Sequence, residues 1–339
     1  MRISNKMMLI PLLGLIIISA FNTFIIMQKR GAMTSLATQA DISLTVLYTP
    51  VGYPSDFTIF LNKDNFSVDL NWTDVPEADD YNVYYSSNLS DLKTIGNSVT
   101  KVTGIKDSNW TDTNAGNVRQ RYYRVAAVKG AVTNITPIIE GKFDIEIRKA
   151  NLTYGYVEMN TVSLPLIPSD DNITNIVIYG MNYDIINWYN TTKKDYDEAY
   201  YYEGNWYGDF NILEPGKGYE FTPINKSYNF TVVGFVPGDN ITSEIQRATL
   251  KAGEVEINTI GWNTPLKRCN FSTIIPIATN FDYIQWYNVS KKIPSFDYAY
   301  YYNGLWYGKI RCFDPGRGYV FAPISVGYNW TYNRSEGFS

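Results

Sequence analysis

The chain has 339 residues with 45% hydrophobic and 16% aromatic side chains, 29 of them Tyr, and a net charge of −4. Its charges are scattered, without the basic stripe that nucleic-acid binding requires. It has no His, which removes the commonest general base and most catalytic zinc sites. No cofactor, metal site or catalytic activity is expected.

Met7–Met27 is a nearly unbroken apolar run. As a helix it spans roughly 30 Å, enough to cross a bilayer. Arg2 and Lys6 precede it and Lys29 and Arg30 follow it, so the positive-inside rule gives little direction. A run this long followed by Lys-Arg reads as a signal anchor (residues 1–30), with 31–40 as a polar linker. Ser35-Leu36-Ala37 is an available cleavage site that would leave the chain secreted.

Beyond the run, Asn-x-Ser/Thr triplets begin at Asn65, Asn71, Asn88, Asn109, Asn134, Asn151, Asn172, Asn190, Asn225, Asn229, Asn240, Asn270, Asn288, Asn329 and Asn333, 15 of 32 asparagines. With Ser and Thr at about one residue in seven, chance gives about four or five. The excess predicts an extracellular, glycosylated body on a single membrane pass. Pro137 makes Asn134 the poorest acceptor, leaving the other fourteen as the predicted sites.

Residues 41–140 carry strand signals, beginning with Leu44–Tyr48 and continuing through Tyr81–Ser86 and Arg121–Val128. In Ser67–Trp72 the alternation puts Val68, Leu70 and Trp72 on one face and the acceptor Asn71 on the other. Trp72, the Ala78–Tyr84 approach, Asp112-Thr113 and Tyr122–Val128 together resemble a fibronectin type III domain. The resemblance implies a seven-stranded β-sandwich with a buried Trp on the second strand and Tyr122 or Tyr123 near the start of the sixth. Such domains act as spacers or binding platforms.

The rest of the chain is written twice, as residues 141–237 and 238–335. Val157–Thr161 matches Val255–Thr259. Asn187–Asn190 matches Gln285–Asn288, and AYYYEGNWYGDFNILEPGKGYEF (199–221) matches AYYYNGLWYGKIRCFDPGRGYVF (299–321). A period of about 100 residues means tandem domains, not a solenoid. Asn303-Gly304 is a type I′ hairpin signal; Glu203-Gly204 fits it less well, so the first copy's turn is expected to differ. Pro-Gly-Lys/Arg-Gly reads as a second tight turn. Gly141-Lys-Phe, Leu164-Pro-Leu166, Trp188-Tyr189 and Leu213-Glu-Pro-Gly-Lys-Gly-Tyr219 resemble the β-rich modules of archaeal and bacterial surface and secreted proteins. That resemblance implies a surface protein and no settled activity.

Cys269 and Cys312 both lie in the second copy, with Asp171 and Ile212 at their counterparts, so a disulfide is expected. Gly216-Lys217-Gly218 lacks the P-loop spacing. Asp195, Asp197 and Glu198 could suggest a carboxylate pair or a calcium loop, but the cluster is not kept in the second copy. Trp206, Tyr207, Trp306 and Tyr307 could stack on sugar rings or pack in a core. The expected molecule is all-β, one sandwich followed by two homologous β-modules. It is held to the membrane by its N-terminal helix, with a structural or adhesive role toward envelope proteins or polysaccharide.

Overall fold

The computed structural model describes residues 51–150, 159–238, 246–247, 257–291 and 295–332, with short strands at 15–18, 44–47, 152–153, 156–157, 241–245, 250–251 and 254–255. The run Met7–Met27, expected as a membrane helix, lies outside the described residues except for Leu15–Ile18, which pairs as a strand with Leu44–Leu47. Among the described residues no helix is long and apolar enough to cross a membrane.

The described chain is all-β apart from three short α-helices and one 3-10 turn, Ala115–Asn117. Its first unit is a two-sheet sandwich. Strands β1 (Thr58–Leu61), β2 (Val68–Asn71) and β5 (Asn109–Asp112) form one sheet in the order β1-β2-β5. Strands β3 (Asp80–Ser86), β4 (Thr100–Ile105), β6 (Gln120–Lys129) and β7 (Val132–Ile135) form the other, with β3 between β4 and β6 and β7 on the outer edge of β6. Period-2 alternation drives Ile59, Val68, Leu70, Val83 and Val125 into the space between the sheets. Trp72 closes it just after the second strand, edge-on to Tyr81 at 5.3 Å. On the sixth strand both tyrosines are fully buried, but on opposite faces. Tyr123 enters the sandwich core and donates to Asp112 at 2.9 Å, while Tyr122 enters the core of the next unit. Helix α1 (Leu89–Thr94) follows β3, its first turn capped by Asn88 Oδ1.

No linker separates the sandwich from the first module. Strand β8 (Glu140–Ile147) pairs with Gln120–Tyr123 of β6 on one side. On the other it pairs along its whole length with β14 (Tyr228–Phe235). The boundary read between residues 140 and 141 falls inside this strand. The sandwich sheet therefore runs on into the module, ending at Ile167–Pro168 on β14.

The module's other sheet contains β9 (Asn160–Val162), β10 (Ile185–Asn190), β11 (Asp195–Tyr202), β12 (Asn205–Gly208) and β13 (Tyr219–Thr222), in the order β9-β13-β10-β11-β12. Leu164, Leu166, Ile186, Trp206 and Phe221 from this side meet Phe143, Ile145, Phe230 and Val232 from the shared sheet. Helix α2 (Ile173–Ile176) adds Ile173 and Ile176 to the same core.

The second module repeats the plan. Strand β15 (Ile241–Ile245) pairs with β21 (Tyr328–Tyr332) as β8 pairs with β14. A five-stranded sheet holds β16 (Asn258–Gly261), β17 (Tyr283–Asn288), β18 (Ser295–Tyr302), β19 (Leu305–Gly308) and β20 (Gly318–Ala322), in the order β16-β20-β17-β18-β19. Trp262, Phe271, Phe313, Tyr319 and Trp330 fill its core, and helix α3 (Phe271–Ile274) occupies the place of α2. Cys269 and Cys312 are disulfide-bonded, with Cα atoms 4.0 Å apart and a sequence separation of 43. In the first module backbone bonds hold the same two segments, Ile173 N to Asn211 O and Leu213 N to Asp171 O.

Candidate binding faces and the joint between the modules

The repeated hairpin has the same turn in both copies. Glu203 and Asn303 sit at φ 46° and 47°, each followed by a glycine at positive φ. The two-residue loops close Tyr202 on Asn205 and Tyr302 on Leu305. The expected difference at Glu203 is absent because a neighbour holds the turn: Asn182 Oδ1 accepts from Glu203 N, and Asn280 Oδ1 from Asn303 N, both at 2.8 Å.

Those asparagines open a repeated triplet, Asn182-Tyr183-Asp184 and Asn280-Phe281-Asp282. The aspartates are fully buried. Asp184 accepts from Met181 N, Ile224 N and the Tyr228 hydroxyl, and Asp282 from Thr279 N, Thr279 Oγ1 and Ile324 N. Burial and the Asp184 carboxylate push the Tyr228 hydroxyl well above its ordinary pKa. Between asparagine and aspartate stands an aromatic at φ 74° or 75°, a left-handed conformation that costs a non-glycine residue free energy. Tyr183 and Phe281 are 63% and 62% exposed, and each leans on the hairpin tyrosine beside it, Tyr202 or Tyr302. These two residues were missed in reading the sequence. The signal was available, because the triplet is kept in both copies.

Alternation sorts the hairpin aromatics. Tyr200, Tyr202 and Tyr207 point outward from the first module and Tyr298, Tyr300, Tyr302 and Tyr307 from the second, all exposed. Tyr200 and Tyr207 stack at 5.8 Å, and Tyr300 stacks on both Tyr307 and Tyr298 at 5.6 and 6.5 Å. The tryptophans of the proposed stacking platform face the other way. Trp206 is 8% exposed and lies edge-on to Tyr201 and Phe221 inside the first core. Trp306 is half-buried against Phe271 and Tyr301. They stand one residue from Tyr207 and Tyr307 on the same strand, so the pleat sends them to the opposite face.

The Pro-Gly-Lys/Arg-Gly turn does more than reverse the chain. Ser163 N donates to Gly316 O and Gly261 N to Gly216 O, while Gly218 N donates to Thr259 O. Isolated bridges join Val162 to Arg317 and Lys217 to Ile260. Each module thus inserts its first strand against the glycine turn of the other, in a reciprocal, two-fold-like exchange of the isologous kind. Lys217 lies 3.5 Å over the Trp188 ring and is paired with Glu214; Arg317 lies 3.9 Å over Trp286 and is paired with Asp314. At the centre, where Ser163 meets Gly261, a Cβ on the glycine would stand 2.8 Å from that of Ser163, leaving room for one side chain only.

Among the described residues no group of three metal-ligating side chains gathers. Of the acidic cluster on β11, Asp197 points inward and is pinned by Lys193 at 2.5 Å and Asn190 at 2.7 Å. Asn288 and Lys291 hold Asp297 in the same way. Burial opposes ionisation of both carboxyls, but the lysine and asparagine bonds outweigh it and keep them below their usual range.

Two glutamates go the other way. Glu140 is buried under the shared sheet with Oε2 unpartnered, and burial raises its carboxyl to about 8. Glu220 is buried on the face of its sheet opposite Tyr219 and Phe221, which enter the module core. Burial raises it to about 7, against a lowering hydrogen bond from the Tyr196 hydroxyl at 3.3 Å.

The acceptor asparagines fall into three groups. Asn65, Asn71, Asn88, Asn109, Asn225, Asn229, Asn270 and Asn329 are exposed. Asn172, Asn190 and Asn288 are half-buried, and the last two spend Nδ2 on Asp197 and Asp297. Asn151, Asn240 and Asn333 lie outside the described residues. In Asn65, Asn88, Asn172, Asn190 and Asn288 the side-chain oxygen accepts from the N–H two residues on, so the triplet also serves as an Asx turn.

No family model and no curated protein matches the chain. Among solved structures, a Fn3-like protein from Clostridium thermocellum aligns at 26% identity and TM-score 0.22, over 25% of this chain and 84% of that one. The FN1–FN3 domains of chicken CNTN1 align at 14% identity and TM-score 0.16, over 84% of this chain and all of that one. These scores are too low to carry an argument. The sandwich assignment rests on the strand order and the burial of Trp72 and Tyr123.

Proposed function

We propose that this chain is a membrane-anchored, glycosylated extracellular protein with a structural and adhesive role, presenting the outward aromatic faces of its twin modules to partners on the cell envelope. The observation that carries the reading is the pair Tyr183 and Phe281. Both copies hold a strained aromatic in the same place, beside a buried aspartate, that touches one hairpin tyrosine and leaves most of its surface exposed. Aromatic side chains in excess at a surface mark interaction sites. The sequon excess and the apolar N-terminal run support the location.

Cell fractionation with glycan mapping tests the location; a soluble, unmodified protein sinks it. The adhesive role is tested by binding of the full chain to isolated envelope. Tyr183→Ser combined with Phe281→Ser should weaken binding at least tenfold while leaving the unfolding midpoint within a degree or two. Unchanged binding removes these faces from the function.

A second reading, carbohydrate binding, is favoured by the stacked run Tyr298–Tyr300–Tyr307 on the second module. Retention on a polysaccharide column that is lost in Tyr207→Ala with Tyr307→Ala supports it. No retention on any glycan removes it.

A further inference from the structure

Two cavities adjoin where the sandwich meets the modules. The larger, about 470 Å³, is lined by Val118 and Arg119 of the sandwich, Glu146 and Arg148 at the end of β8, and Trp286 and Arg317 of the second module. The smaller, about 360 Å³, lies among Phe66, Lys142, Tyr179 and Lys226. Asn229 lines both.

Asn229 opens the triplet Asn229-Phe230-Thr231 on β14. Phe230 points into the module core, so Asn229 and Thr231 point to the opposite face, where Thr231 Oγ1 donates to Asp144 and Asn229 stands in register with Glu146 of β8. Of the described acceptor asparagines, Asn229 alone lines either cavity. Its amide is also uncommitted among the described residues, whereas Nδ2 of Asn190, Asn225 and Asn288 already donates to Asp197, Asn182 O and Asp297.

We propose that the glycan of Asn229 lies in this joint instead of projecting into solvent, and thereby fixes the second module against the sandwich and the first module. The proposal rests on the glycosylated-surface reading above. Attachment replaces one Nδ2 hydrogen by C1 of the first sugar. A phosphate-activated saccharyl donor supplies the sugar, its phosphate leaves, and the proton goes to solvent. The cavity walls match a saccharide chain. Arg119 and Arg148 are exposed guanidiniums whose Nε atoms donate to Asp144 O and Glu146 Oε1, leaving their terminal nitrogens for hydroxyls; Glu146 keeps Oε2 as an exposed acceptor, and Val118 and Trp286 offer apolar surface to C–H faces. A volume in this range holds a small-molecule-sized ligand.

The test uses full-length protein from a glycosylating host. Glycopeptide mass spectrometry reads occupancy at Asn229 and at Asn329, its exposed counterpart on the second module, which lines neither cavity. Hydrogen exchange is then compared for wild type, Asn229→Gln, Asn329→Gln, and wild type trimmed enzymatically in the native state, which removes the glycan without a substitution. The expected result is a several-fold rise in exchange at residues 116–119 and 286–290 for Asn229→Gln and on trimming at Asn229, with no change there for Asn329→Gln. An occupied Asn229 whose loss leaves those segments unchanged overturns the proposal. Should Asn229 be bare while other acceptors are occupied, this proposal falls and the surface reading stands. A chain bare at every acceptor removes both.

Discussion

At the scale of single residues, the copies keep what the joint and the hairpin frame require. Gly218 and Gly318 are the sharpest case, because a Cβ on either would stand 2.5 Å from a carbonyl oxygen of the other module, Ile260 O or Val162 O. No rotamer relieves a backbone contact, so Gly318→Ala forces the modules apart. The expected loss is about 1–3 kcal/mol, the usual range for overpacking, read by chemical denaturation of the full chain. A loss below about 0.5 kcal/mol would show that the two-fold joint is not formed in solution. The repeat comparison made these glycines visible in the sequence as a turn. Their second role was not legible, because a residue's partner in another domain leaves no local pattern. Trp206 and Tyr207 differ: their sorting needed only the pleat once the strand was fixed.

At the scale of elements, strands were readable wherever one face meets water and the alternation shows, as in Val68–Asn71 and the Tyr-rich hairpin. Strand β8 was harder to place. Its sequence, Glu-Gly-Lys-Phe-Asp-Ile-Glu-Ile, alternates well, but only pairing with both β6 and β14 reveals that it belongs to two units at once. Several polar side chains beside it are paired, although Glu140 Oε2 is not. Arg121 and Tyr123 converge on Asp112, and Lys142 and Thr231 on Asp144. Among the described residues the second module has no sandwich sheet beside its β15–β21 pair, and it alone carries a disulfide, tying the segment before α3 to the one after β19. Closing a loop of 43 residues contributes about 3–4 kcal/mol by chain entropy. Reduction by dithiothreitol is therefore expected to lower the denaturation midpoint of the second module and leave the Tyr122 and Trp206 core of the first intact, with exchange at residues 268–274 rising first. Equal loosening of both modules would mean that the joint, not the bridge, sets the second module's stability.

At the scale of the whole molecule, the absence of histidine leaves the titration behaviour near neutral pH to a few groups. Among the described carboxylates, Glu140 and Glu220 are raised into that range, to about 8 and about 7, both by burial. Glu140 lies on the strand shared by sandwich and module, and Glu220 on the strand that follows the Pro-Gly-Lys-Gly turn bridged to the second module. A carboxyl raised in the folded state stays protonated there while the unfolded chain has already ionised. Between the ordinary value near 4.5 and the folded value the native state binds more protons, so stability falls as pH rises. Asp197 and Asp297, held low, act in the opposite sense only at acid pH, where their contribution is lost as they protonate. The expected profile therefore has its maximum near pH 5 and declines toward pH 8. Glu140→Gln with Glu220→Gln keeps the neutral shape of both side chains and should flatten that decline, raising the unfolding midpoint at pH 8 with little change at pH 5. Thermal unfolding of wild type and the double variant across this range measures it. Parallel curves would show that both carboxyls already ionise in the folded chain, and that water reaches these two buried sites.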